Sequence, residues 1–153
     1  MKTLIEDRNL DSHERELELS ECGIVYVEWG RIGYNKGPLY SDGFTVCSAV
    51  GLSNGEEGFL AHAYPIGSIF SEVGSVDVVD KLVEAAEQRD IDPATCHAFV
   101  SAGDQEYFDR IVGDLRKRGI PIRSASINGH LRDVRFDPVQ DVFEVVEVQA
   151  VIW

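Results

Sequence analysis

Cys47 and His62 are the two residues whose types and spacing most directly suggest chemistry. Cys47 lies in an apolar, β-branched stretch, Phe44 to Leu52, which reads as a strand. Asn54-Gly55 is a strong hairpin-turn signal, and Gly58 to Tyr64 reads as the returning arm. A hairpin turning on Asn54-Gly55 sets Cys47 opposite His62, with Cβ atoms ~4.5–5.5 Å apart. The pairing matters because a free thiol is a poor nucleophile at neutral pH until a base takes its proton. Spacing alone leaves the bland reading open. A lone cysteine in a strand is ordinarily packing, and a lone histidine is ordinarily a satisfied structural residue.

The other candidates carry less. Cys22 has no histidine at a pairing distance in sequence. Cys96 and His97 are adjacent, so in a strand they point to opposite faces and cannot act together. His97 alone is left as a residue that could approach the site. His13 and His130 sit in polar, loop-like contexts. A zinc site from Cys47, His62 and Cys96 lacks any CxxC or HxxxH pair, and neither GxGxxG nor GxxxxGK[ST] occurs. No metal or cofactor is therefore expected.

These residues need elements to position them. Helices are expected over Val76 to Arg89, with Ser75 as N-cap, and over Gln105 to Arg118, after Asp104. The second has Arg116, Lys117 and Arg118 in its last turn and is stopped by Gly119 and Pro121. Strands are expected at Glu16 to Leu19, where Glu and Leu alternate, at Gly23 to Trp29 and at Thr95 to Ala102. Ile120 to Ile127, Leu131 to Phe136 and Val142 to Val148 complete the set. Gly30 to Gly43, with four glycines and Pro38, reads as a loop. Residues 1–15 read as a mobile or loosely docked lead, and 16–153 as a single domain. Hairpins mixed with helices argue for mixed α/β architecture over a purely alternating βαβ chain.

The order of residues also resembles the CheD family of chemoreceptor glutamine deamidases. The resemblance rests on Ser41-Asp42-Gly43-Phe44-Thr45-Val46-Cys47, then Gly58-Phe59-Leu60-Ala61-His62 and Pro65. It continues through His97 to Gly103 and Ile127 to Pro138, covering roughly residues 16 to 148. It implies an α/β fold of two packed mixed sheets, or one strongly bent sheet, flanked by helices, a fold shared with deamidase toxins of the cytotoxic necrotizing factor type. It also implies a cysteine-dependent deamidase with Cys47 as nucleophile and His62 as general base. Ser41 stands where the family has a threonine that orients the histidine. Thr45-Val46 replaces the small Gly-Ser usual before the nucleophile, which narrows the site or changes its substrate. The implied partners are a protein carrying a target glutamine, such as a chemoreceptor, and a CheC-like phosphatase. A CheD-like module that binds without catalysing, or a toxin-like deamidase of another protein, are the alternatives.

Composition bounds these readings. Of 153 residues, 44% are apolar and 27% charged, which suits a folded globule rather than a disordered chain. Acids outnumber bases 27 to 14, for a net charge of −13, so nucleic acid is not expected as the main partner. Residues 110–135 hold seven bases against two acids, a net +5 that leaves −18 for the remainder. That segment reads as a solvated face or as an anion- or partner-binding one. Arginine outnumbers lysine, and with the acid excess this suits a high-salt cytoplasm. No apolar run reaches the ~20 residues of a membrane span, the first residues form no signal peptide, and three cysteines make no disulfide framework. A cytoplasmic location without membrane insertion is the expectation.

Overall fold

The structure, a computed structural model, describes residues 12–65 and 73–148. Its elements run α1 Ser12–Glu21, β1 Val25–Tyr26, β2 Ile32–Asn35, β3 Leu39–Phe44, β4 Ser48–Ser53 and β5 Gly58–Ala63. There follow α2 Val78–Gln88, β6 His97–Ala102, α3 Gln105–Lys117, β7 Ile122–Ile127, β8 Arg132–Asp137 and β9 Val142–Glu147. Two mixed sheets result, one ordered β1-β3-β8-β9 and the other β2-β5-β4-β6-β7. The pairs β1–β3 and β6–β7 are parallel, and the rest antiparallel. The chain is thus α/β, as its patterning predicts, with two mixed sheets and helices, as the resemblance implies.

Strand periodicity divides the core into two layers. Val50, Leu52, Phe59, Ala61 and Ala63 point from β4 and β5 toward the helices, meeting Val79, Leu82 and Ala86 of α2 and Ile111 and Leu115 of α3. Ala49 and Leu60, on the opposite face, meet Leu39, Phe44, Val134 and Phe136 of the smaller sheet. The hairpin β4–β5 is therefore buried on both sides. A third cluster, Leu19, Ile24 and Tyr40, docks α1.

Helix α3 follows its sequence signals, with the Asp104 carboxylate accepting from the Tyr107 N–H at 2.8 Å. Helix α2 begins later than expected, at Val78. The Ser75 hydroxyl donates to the Tyr64 carbonyl at 3.0 Å instead of capping the helix. Two further expectations are overturned. Glu16 to Leu19 is helical, not a strand; four alternating residues of helix-favouring type do not define a strand, and only Leu19, not the exposed Leu17, reaches the core. Residues 30–43 contain β2 and most of β3 rather than one loop. Gly33 serves close packing within β2, since a Cβ there would lie 2.5 Å from Val27 Cγ2.

Candidate active site

The stretch Phe44 to Leu52 is not one strand. Phe44 ends β3, residues 45–47 form a bend, and β4 starts at Ser48. Cys47 thus stands on a bend between two strands of different sheets. The hairpin register also differs from the expected one. Ser53 pairs with Gly58, so the loop is four residues long, with Asn54 N–H bonded to Glu57 O and the Asn54 side chain accepting from the N–H groups of Glu56 and Glu57. His62 consequently faces Ala49, not Cys47. The displacement is two residues, which preserves the face. Cys47 packs in the inter-sheet core with Ala49, Leu60 and Phe44, and His62 stacks on Phe44 with ring centroids 3.7 Å apart. Cys47 lines that core and His62 enters it against Phe44, and no hydrogen bond joins the two residues.

Ser41, on β3, reaches His62. Its hydroxyl lies 2.8 Å from His62 Nδ1 and donates to the Val27 carbonyl at 2.7 Å. A hydroxyl has one proton. Because the Val27 oxygen can only accept, that proton is committed to it, and Nδ1 must be the N–H that donates to Ser41. This assigns the tautomer: Nε2 carries the lone pair. Nε2 is buried, and among the described residues it has no hydrogen-bond partner. Burial, reinforced by the Arg132 charge, lowers the His62 pKa to about 3, so the ring is neutral across the physiological range.

Arg132 is the site residue that sequence reasoning missed. The charge pattern groups it with the basic segment 110–135, read as a solvated or partner-binding face, yet it is fully buried at the start of β8. Its Nε donates to Ser101 Oγ at 2.8 Å, Nη1 to the Thr45 carbonyl at 3.0 Å, and Nη2 to the carbonyls of Cys47 at 3.0 Å and Ser101 at 2.9 Å. Its guanidinium carbon lies 5.4 Å from the Phe44 ring centre. The signal was present: Arg132, Val134 and Phe136 alternate in phase, and the latter two line the core. Burial pushes the Cys47 thiol up, while the Arg132 charge works the other way.

The remaining candidates are elsewhere. Cys22 is exposed. Cys96 is buried on the helix side of the larger sheet. His97 Nε2 lies 2.5 Å from an Asp141 carboxylate oxygen that ties β6 to the β8–β9 turn. His130 is exposed on the loop between β7 and β8, and His13 falls in α1. Arg110, Arg118 and Arg123 pair with Asp114, Asp80 and Asp141, so the surplus charge of residues 110–135 is partly neutralised in place. A cavity of about 510 Å³ lined by Tyr34, Phe59, Lys81, Glu84 and Arg89 lies between α2 and the larger sheet, apart from Cys47 and His62. Among the described residues, no helix is long and apolar enough to cross a membrane.

Fold and site together define an α/β protein with a cysteine on an inter-sheet bend and a serine-held, neutral histidine in the same core. Comparison with protein-family models finds no match, and comparison with curated proteins finds no significant one.

Proposed function

We propose that this protein is a cysteine-dependent protein-glutamine deamidase of the CheD type. The observation that carries the reading is the Val27–Ser41–His62 relay, which leaves a buried Nε2 lone pair beside the core that holds Cys47. A general base must be unprotonated and held in one orientation, and the relay meets both requirements. With the thiol raised and the imidazole lowered, no ion pair rests in the free site; proton transfer belongs to the attack itself. As Cys47 sulfur bonds to the amide carbon, its proton passes to His62 Nε2. Backbone N–H groups of the 45–47 bend are the proposed holders of the oxyanion. His62 then returns the proton to the amide nitrogen as the C–N bond breaks and ammonia leaves. A water that gives a proton to His62 Nε2 then attacks the thioester carbon, and that proton returns to the Cys47 sulfur as the C–S bond breaks and glutamate is freed. The chemistry draws on no cofactor or metal.

The proposed substrate is a glutamine on a cytoplasmic signalling protein of chemoreceptor type, with a CheC-like phosphatase as a further partner. The test is co-expression with candidate receptors and a mass-spectrometric search for sites heavier by about 1 Da, the mass change of amide hydrolysis. Such sites should form with the parent and vanish with Cys47→Ala. Their absence with both chains would sink the reading. One observation favours the non-catalytic alternative: Cys47 and His62 are both buried, and no hydrogen bond joins them. Binding of a CheC-like phosphatase without any deamidation would select it.

Ser41→Ala gives a sharper check. It strands two buried groups, the Nδ1–H of His62 and the Val27 carbonyl, at a cost of about 1–3 kcal/mol each. It also frees the imidazole to rotate or change tautomer. Thermal unfolding should show the loss of stability, and deamidation by the fraction still folded should fall at least roughly tenfold, the rate equivalent of one lost orienting hydrogen bond. Unchanged turnover would make Ser41 a packing residue only.

A further inference from the structure

Arg132 presents a physical problem that its four hydrogen bonds do not solve. A guanidinium removed from water costs several kcal/mol unless an anion compensates it. Among the described residues every acceptor it meets is neutral: three backbone carbonyls and one hydroxyl. Glu147, directly opposite in β9, is exposed and forms no ion pair with it, although its charge does favour the guanidinium. Asp133, next in β8, accepts from the Tyr40 hydroxyl and the Gly43 N–H, and Asp42 of β3 from the Tyr26 hydroxyl. His62 of β5 is neutral. The cation remains charged at neutral pH, since burial lowers its pKa only to about 10. Two of its four bonds go to the bend that carries Cys47.

We infer that Arg132 is the charge partner of the Cys47 thiolate and the clamp that positions the nucleophile bend, an inference that rests on the reading of Cys47 as nucleophile. In the resting site the imidazole is neutral and supplies none of the counter-charge that an imidazolium supplies in an ordinary cysteine–histidine ion pair. Arg132 supplies it from the opposite sheet. In this arrangement the proton on sulfur passes through Nε2, while the negative charge left behind is held by the guanidinium. Stability and chemistry are thereby divided: the buried cation is expensive at rest and is compensated when sulfur or the tetrahedral oxygen becomes anionic. Its hold on the Thr45 and Cys47 carbonyls fixes the bend from which that charge develops.

The test is the pH dependence of Cys47 alkylation by iodoacetamide, read at the Cys47 peptide by mass spectrometry on the full chain. Arg132→Gln should move the midpoint up by about one pH unit or more, hence roughly tenfold less thiolate at a fixed pH below it. Arg132→Lys, which keeps the charge, should stay nearer the parent than Arg132→Gln does. His62→Ala should not raise the midpoint. An unmoved midpoint in folded Arg132→Gln overturns the inference. So does a His62→Ala midpoint raised as far as that of Arg132→Gln, because the imidazole would then be the partner. If Arg132→Gln does not fold, Arg132→Lys and His62→Ala decide: a parent-like midpoint in both supports the inference, and a raised one in His62→Ala overturns it. The deamidase reading fails separately. A midpoint that responds to Arg132 in a chain that deamidates nothing keeps this inference and removes that one; deamidation with an unresponsive midpoint does the reverse.

Discussion

Acidification to pH 3 is expected to remove about 4 kcal/mol of folding stability through His62 alone. The sign follows from which state binds the proton. Burial, with the Arg132 charge adding to it, depresses the folded pKa from 6.5 to about 3. Above pH 6.5 the ring is neutral in both states and contributes nothing. Below it the unfolded chain takes a proton that the folded one refuses, so stability falls steadily until the folded ring protonates near pH 3. Against the ~5–15 kcal/mol of a typical domain the loss is large. Urea unfolding of the parent and of His62→Gln at several pH values between 7 and 4 isolates it, because contributions from carboxylates are common to both. The curves should coincide near pH 7, and below about pH 6 the parent should lose about 1.4 kcal/mol more per pH unit than the variant. Parallel curves would mean that His62 titrates as an exposed histidine does, and the assigned tautomer would fall with them. The same property bears on function. Deamidation should not decline between pH 7 and 5 through protonation of the base, since Nε2 keeps its lone pair throughout.

What the sequence revealed, and what it concealed, divides along the range of the interactions involved. Apolar periodicity and the Asp104 cap placed α3, and Asn54-Gly55 marked the turn between β4 and β5, because each is a local signal. The length of that turn was concealed. It is set by the Asn54 side chain reaching the N–H groups of Glu56 and Glu57, and those two residues moved His62 from opposite Cys47 to opposite Ala49. The break in the strand at 45–47 was concealed more deeply. The carbonyls of Thr45 and Cys47 are taken by Arg132, more than eighty residues away, and no window around Cys47 reports this. Residues 16–19 mislead in the opposite direction, since a period of two over four residues is too short to outweigh the helix preference of Glu and Leu. Ser41 came from the resemblance and not from spacing. Its bond to His62 crosses from one sheet to the other, and only coordinates could show that Val27 takes its proton.

The bend that presents Cys47 is backed so closely that one methyl group should displace it. A Cβ on Gly103 would lie 2.2 Å from the Val46 carbonyl oxygen and 2.5 Å from its carbonyl carbon. Both are backbone atoms, so no side chain can rotate away to relieve the clash. The Gly103 N–H is itself held by Ser48 Oγ at 3.1 Å, immediately after the bend, which keeps the two segments from separating freely. Relief must come from moving residues 45–47, together with the Thr45 and Cys47 carbonyls that Arg132 grips. Gly103→Ala should therefore cost about 3 kcal/mol or more in stability, as overpacking against backbone does at its upper end. In the fraction that remains folded, a nucleophile displaced by about 1 Å should lose on the order of a hundredfold in turnover. Gly113→Ala is the matched control. It lies inside α3 with no atom within 4 Å of the added Cβ, and alanine there should stabilise the chain by about 0.5–1 kcal/mol. Denaturant unfolding and deamidation rates for the two variants separate a general effect of replacing glycine from a specific one at the bend. If Gly103→Ala is as stable and active as the parent, the 45–47 bend is pliant, and the position of Cys47 is not held by the contacts described above.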